Sequence, residues 1–273
     1  MLSNHTSDPI ESQLREEALY KPYQSLNAYL KKKYGEKIYK IALDGGFTCP
    51  NRDGTCGTRG CIFCSAGGSG EFATAIRQNS SIDAQIAQAL ARFGNKQTGQ
   101  RFIAYFQAYT GTYAAPERLY ALYHMALSHP KIIGISIATR PDCLPAPVLD
   151  VIKQCQMEFP DKFVWIELGL QSVHEKTALY IRRGYPLSCF EEALETLQTM
   201  SVPVIVHVIL GLPGETRADM LATIDYLSHK NIFGIKLQLL HVLRGTDLAA
   251  EYERGVFSCL SKEAYIDLLC SCI

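Results

Sequence analysis

Residues 49 to 68 read Cys49-Pro-Asn-Arg-Asp-Gly-Thr-Cys56-Gly-Thr-Arg-Gly-Cys61-Ile-Phe-Cys64-Ser-Ala-Gly-Gly68, four thiols within sixteen positions. Cysteine is a common small core residue, but here it is accompanied by Gly54, Gly57, Gly60, Gly67, Gly68 and Gly70. Glycine at that density belongs to a loop with unusual backbone angles rather than to a packed core. Two thiolates separated by two residues can face one centre, and glycines let backbone amides approach the sulfurs of a cluster. A structural zinc site usually joins two such pairs to close a tetrahedron. Only Cys61 and Cys64 form one, so three ligands with an open iron fit better. Zinc bound by all four cysteines, and an electron-transfer iron–sulfur cluster bound by all four, stay open as alternatives.

Outward from this loop, β-rich runs alternate with amphipathic stretches, which argues for repeated βα units around a parallel sheet. Strands are predicted at 38–43, 101–107, 132–138, 163–168, 203–209 and 232–239, mostly as near-continuous apolar runs of the kind covered on both faces. Helices are predicted at 82–93, 116–127, 146–157, 189–200 and 217–227 from apolar spacings of three and four. Periodicity alone does not separate an open doubly wound sheet from a barrel left open on one side. A further short helix is expected at 23–33, ahead of the first strand. Between 21 and 40 six lysines face Glu36 alone, which reads as a solvated face.

Composition narrows the function classes. With 47% hydrophobic and 20% charged residues the 273-residue chain lies near the globular average. Its 27 basic residues balance 27 acidic ones, so a nucleic acid or an anionic membrane would have to be gripped by a local patch. No apolar run approaches the roughly 20 residues of a membrane helix, and the first twenty residues lack a signal peptide's basic and apolar regions. A cytoplasmic location without membrane attachment is expected. Ten cysteines in a reducing compartment read first as metal ligands or catalytic thiols.

The strand, the cysteine loop and the Cys61-x-Phe63-Cys64 pattern together resemble the radical S-adenosylmethionine (SAM) superfamily. The wider spacing Cys49-x11-Cys61-x2-Cys64 is similar to its elongator-catalytic-subunit-like branch. Within that branch, Gly45-Gly-Phe-Thr-Cys-Pro-Asn-Arg-Asp-Gly-Thr55, Thr139-Arg-Pro-Asp142, Glu167-Leu-Gly-Leu-Gln-Ser172, Arg183-Gly184 and Gly211-Leu-Pro-Gly-Glu-Thr216 resemble the YhcC-type proteins. The resemblance covers about residues 20 to 273.

It implies a partial (β/α)6 TIM-like barrel of the radical SAM type over 34–273, preceded by an N-terminal helical extension, 1–33, packed outside it. Such relatives usually run on further, so the C-terminal end is expected to be shortened. A 4Fe-4S cluster is implied on Cys49, Cys61 and Cys64, with SAM on the fourth iron and Cys56 standing aside. The implied activity is reductive cleavage of SAM to a 5′-deoxyadenosyl radical that abstracts hydrogen from substrate. The implied partners are SAM and an electron donor such as flavodoxin or ferredoxin. The substrate is open, and tRNA enters as a candidate through the elongator-type relatives.

In a parallel barrel the chemistry sits at the C-terminal strand ends. By resemblance, Phe63 lies beside the adenine, with a plain apolar loop anchor as its alternative. Gln107, with Tyr109 and Thr110, ends the second strand where relatives hold the SAM amino group, although the usual Gly-Gly-Glu is absent. Gln171, able to donate and accept hydrogen bonds, is expected to contact SAM. Arg183 is expected at the SAM carboxylate, with Arg182 as rival. Gly211 opens the turn assigned to the adenine side. Arg140 and Asp142 are either substrate-orienting or an internal ion pair. His207 and His241 read as hydrogen-bonded core histidines.

Overall fold

The computed structural model describes residues 22–68, 70, 81–93 and 99–273. Six parallel strands neighbour one another in chain order: β1 (Tyr39–Leu43), β2 (Phe102–Phe106), β3 (Ile132–Thr139), β4 (Phe163–Gln171), β5 (Val204–Leu210) and β6 (Gly234–Leu239). The sheet curls into a half-barrel whose edges are β1 and β6. Parallel neighbours need crossovers, which helices supply on the outer face. These are α2 (Ile82–Phe93), α3 (Pro116–Ser128), α4 (Ala146–Glu158), α6 (Leu187–Thr199) and α7 (Arg217–Ser228), with the short α5 (Glu175–Tyr180) between β4 and α6. Among the described residues no helix is long and apolar enough to cross a membrane.

Local chemistry sets the helix starts. Pro116 occupies the first turn of α3, where its missing N–H costs nothing. Thr216 and Asp219 form a reciprocal capping box on α7. Two C-terminal helices, α8 (Asp247–Glu253) and α9 (Lys262–Ser271), were not anticipated from periodicity; the side chains of Thr246 and Ser261 cap them.

The two strand faces bury different things. Outward residues such as Ala104, Phe106, Ile166, Leu168, Val206 and Val208 pack under the helices in the main core. Inward residues stack in layers along the barrel at alternate positions of each strand, except where β3 shifts register between Ile132 and Gly134. At the N-terminal end Ile38, Ile103, Ile133, Trp165 and Ile205 form an apolar layer, and Leu30 of α1 (Leu26–Tyr34) closes it. Leu30 is 2% exposed, and Tyr29 packs edge-on to Phe233 at 5.3 Å. The extension was expected to lie outside the barrel; α1 instead plugs its base, because Leu30 offers the apolar surface the open end must cover. The helix begins three residues later than predicted, where Ser25 accepts from the Ala28 amide at 3.2 Å. The rest of the expected extension, 1–21, lies outside the described residues.

Candidate functional site

The C-terminal strand ends surround a cavity of ≈ 480 Å³ lined by Cys49, Cys61, Phe63, Cys64, Gln107, Gln171 and Arg183, among others. Cys56 is exposed and is not part of this lining. Gly211 is also outside it, with φ +89° and its Cα facing Leu260 and Leu240. Of the eight residues expected to hold the cluster or SAM, the structure thus brings seven together and leaves Gly211 apart.

The cysteine loop is held by elements far along the chain. The Thr110 amide donates to Thr48 O at 3.2 Å, Tyr109 N to Gly68 O at 2.8 Å, Ile62 N to Ile181 O at 3.2 Å and Leu248 N to Ile62 O at 3.0 Å. Asn51, 4% exposed, is the central pin. Its Nδ2 donates to Arg182 O (2.7 Å) and Arg183 O (3.2 Å) and lies 3.4 Å from Cys61 Sγ. Gly184 makes room for it. A Cβ there would fall 2.5 Å from Asn51 Oδ1, and φ is +84°. The Arg52 guanidinium donates to the carbonyls of Cys64 and Ser65 and lies 5.7 Å from the Tyr109 ring centre.

Cys61 and Cys64 lie side by side, and Cys49 lines the same cavity. The Cys64 thiol, and then burial, push the Cys61 thiol well above its usual range, as two adjacent sulfurs in a dry site must while protonated. Arg140 Nη1 reaches to 4.0 Å of Cys49 Sγ, bringing positive charge to the third thiol. Among the described residues no three His, Cys, Asp or Glu side chains converge as a single-ion site requires. A four-iron cluster is wider than an ion and needs its thiols spread around a cavity wall, so this donor set fits a cluster better than zinc.

Arg140 closes a bidentate pair with Asp142 (Nε–Oδ1 2.9 Å, Nη2–Oδ2 2.6 Å), the internal ion pair of the two sequence alternatives. Arg183, 1% exposed, donates to Tyr185 O (3.0 Å), Leu170 O (3.1 Å) and Ser172 O (2.7 Å) and meets Glu175 at 3.4 Å. Its guanidinium braces the β4–α5 turn. Arg182 pairs with Asp247 at 2.5 Å, while its Nε and Nη1 are buried without a partner. Tyr109 and Gln171, both cavity-lining, have φ of 58° and 64°. Left-handed backbone at residues other than glycine costs about 1–3 kcal/mol and gathers at functional sites.

Below the mouth lies an inward polar layer that pattern reading missed. Each strand contributes one residue: Lys40, Tyr105, Ser136, Glu167, His207 and Lys236. The Glu167 carboxylate is fully buried and receives Lys40 Nζ, Ser136 Oγ and His207 Nε2 (2.6 Å), with Lys236 Nζ 3.7 Å away. Burial opposes its ionisation, but His207 and the two ammoniums outweigh burial and hold it well below the usual carboxylate range. Burial likewise holds His207 below its usual value, so the neutral ring donates to Glu167. His207 is thus a hydrogen-bonded histidine of the barrel interior. His241 is not: β6 stops at Leu239, leaving it exposed at the cavity rim.

A half-barrel of six βα units with three cysteines at its mouth defines a radical SAM protein, and the chain matches the Radical SAM superfamily over residues 54–227 and the Radical_SAM C-terminal domain over 232–273. It belongs to that superfamily and is by membership a radical SAM enzyme. It is 42% identical to the "Uncharacterized protein YtqA" of Bacillus subtilis, over 92% of this chain and 76% of that one. It is 39% identical to "Protein YhcC" of Escherichia coli, over 86% of this chain and 74% of that one. In fold it is similar to "The archaeal Methanocaldococcus infernus Elp3 with N-terminus deletion (1-46)", with a TM-score of 0.62 at 14% identity. That similarity covers 86% of this chain and 53% of that one. The chain therefore spans about three quarters of these curated relatives and about half of that solved chain.

Proposed function

We propose that Cys49, Cys61 and Cys64 hold a 4Fe-4S cluster at the barrel mouth and that SAM binds beside it. The observation that carries this reading is that these three thiols line one cavity while Cys56 does not. A cluster held there would supply the electron for reductive cleavage of the carbon–sulfur bond of SAM, and the 5′-deoxyadenosyl group so released would take a hydrogen atom from substrate. The chain's own residues bind and orient. Asn51 fixes Cys61 against α5, and Arg140 offsets negative charge at Cys49. Phe63, between two ligands, offers an apolar face to the adenine. Gln107 and Gln171 offer amides to the polar groups of SAM from the ends of β2 and β4. Arg183 acts on the cofactor carboxylate mainly by bracing the turn that carries Gln171, and Gly211 shapes the β5–α7 turn behind the cavity wall. The apolar base sealed by α1 leaves the mouth as the entrance and helps exclude water.

The electron comes from a flavodoxin- or ferredoxin-type donor, and tRNA is the substrate candidate that the elongator-type resemblance supplies. The test is anaerobic reconstitution followed by incubation with dithionite and SAM. The expected result is 5′-deoxyadenosine, dependent on both reagents; a filled cluster with no product overturns the reading.

A further inference from the structure

Among the described residues four cationic side chains line the mouth cavity: Arg52, Arg140, Arg183 and Lys236. Three are committed elsewhere. Arg52 donates to loop carbonyls, Arg140 is closed on Asp142, and Arg183 is closed on the carbonyls of the β4–α5 turn. Lys236 differs. Its side chain is 37% exposed, and its Nζ meets the Tyr105 hydroxyl at 3.3 Å and stands 3.7 Å from Glu167. Among the described lining residues Glu167 is the lone carboxylate, and its oxygens are met more closely by Lys40, Ser136 and His207. Two ammoniums thus share one carboxylate: burial lowers the Lys236 pKa, Glu167 opposes that only in part and Lys40 adds to it, so the Lys236 ammonium lacks a full counter-charge. An unmatched charge in a partly desolvated cavity is costly until an anion joins it.

The curl of the sheet adds a second constraint. β1 and β6 are its two edges, yet Lys40 and Lys236 both stand over the Tyr105 ring, at 4.6 and 5.3 Å, so the charge lies over the barrel interior rather than at one edge. Gln238 and Gln107 also line the cavity, two residues on from Lys236 and Tyr105 and therefore on the same strand faces, one layer nearer the mouth. Their amides can donate to the oxygens of a group seated on Lys236.

We infer that the floor of the cavity, built on Lys236, binds an anionic group of the substrate, a carboxylate or a phosphate. This deepens the proposed function and rests on it for the use of the cavity as a substrate site, though not for the binding of the anion itself. Lys236 is a substrate-binding residue in this assignment, and the polar layer beneath it holds its ammonium upright: Glu167 fixes its position without neutralising it, because Lys40 takes the closer share of that carboxylate.

The test uses reconstituted holoprotein with its lysines reductively methylated with carbon-13, which preserves their charge. The Lys236 signal is assigned by its loss in Lys236→Arg. Sodium phosphate and sodium acetate are titrated at constant ionic strength, with acetamide as the uncharged control. The expected result is a saturable shift of the Lys236 signal with at least one anion and none with acetamide. Tighter saturation by phosphate assigns a phosphoryl group and tighter saturation by acetate a carboxylate. In unmethylated protein, the anion-dependent rise in Tm is expected to persist in Lys236→Arg and disappear in Lys236→Gln. No saturable shift with either anion, or an equal shift with acetamide, overturns the inference, and this measurement needs no variant to fold. A separate readout isolates the underlying reading: SAM should alter the paramagnetic resonance spectrum of the reduced cluster in both the parent and Lys236→Gln. If SAM leaves the parent spectrum unchanged while an anion still shifts Lys236, the SAM reading falls and the anion site stands.

Discussion

Replacing Glu167 with glutamine keeps the shape of the side chain and removes the charge on which the inner polar layer is organised. In the parent, one buried carboxylate accepts from Lys40, Ser136 and His207 and lies near Lys236. In Glu167→Gln the amide must turn an N–H toward at least one of these donors, and both ammoniums lose their counter-charge. Breaking a buried ion pair by removing one partner costs about 3–5 kcal/mol. Lys40 and Lys236 retain 23% and 37% side-chain exposure, so water compensates part of the loss and the lower end, about 3 kcal/mol, applies. At about 2–4 °C per kcal/mol for a chain near this size, Tm should fall by roughly 6–12 °C. The assay is thermal and urea unfolding of parent, Glu167→Gln, Lys40→Met and the double variant. Because Lys40→Met relieves one orphaned ammonium, the double variant should lose at least about 1 kcal/mol less than the sum of the singles. A loss below about 1 kcal/mol in Glu167→Gln, or strict additivity, refutes the charge-sharing account of the layer.

Cys49→Ala, Cys61→Ala and Cys64→Ala should each lose iron and visible absorbance on reconstitution, whereas Cys56→Ala should retain both; an iron-free Cys56 variant would assign the cluster to four cysteines. Gly184→Ala meets Asn51 Oδ1 as well as a left-handed backbone, while Gly214→Ala, φ +83° with nothing within 4 Å of its Cβ, meets only the backbone cost of about 1–2 kcal/mol. Iron retention should therefore fall in the first and not in the second. His207 and Glu167 both titrate below their usual values in the folded state, so the unfolded chain binds more protons and stability must fall as the pH is lowered. The His207 contribution is complete above its unfolded value of about 6.5 and declines below it; that of Glu167 starts to decline only below about 4.3. Urea midpoints of His207→Gln should consequently fall less steeply than those of the parent between pH 7 and 5.

The sequence made the six strands legible because their outward faces are uniformly apolar. It hid the inner layer for the same reason: one polar residue per strand, such as Ser136 within Ile-Ile-Gly-Ile-Ser-Ile-Ala-Thr, disappears in an apolar run. The available signal was parity, since Tyr105, Glu167, His207 and Lys236 all occupy alternate, inward positions. Arg183 was expected at the SAM carboxylate by resemblance; its role as a buried brace was not legible, because its acceptors are backbone carbonyls that carry no residue identity. His241 was misread as core although the predicted strand, 232–239, already ends before it; its neighbour Leu240 is buried while His241 itself is exposed. Leu30 could not be assigned to the barrel base because an isolated helix of Lys and Tyr does not reveal what it covers.

The Asn51 pin joins atoms 131 and 132 positions apart in the chain. During synthesis all three cysteines leave the ribosome well before Arg182 and Arg183 exist, and until those carbonyls arrive the loop has no seat. A nascent chain ending before β4 therefore carries the full thiol set in exposed, oxidisable form. On the cluster assignment proposed above, the seat for the thiols is complete only in the later half of translation or in the finished chain, and the thiols depend until then on the reducing power of their surroundings.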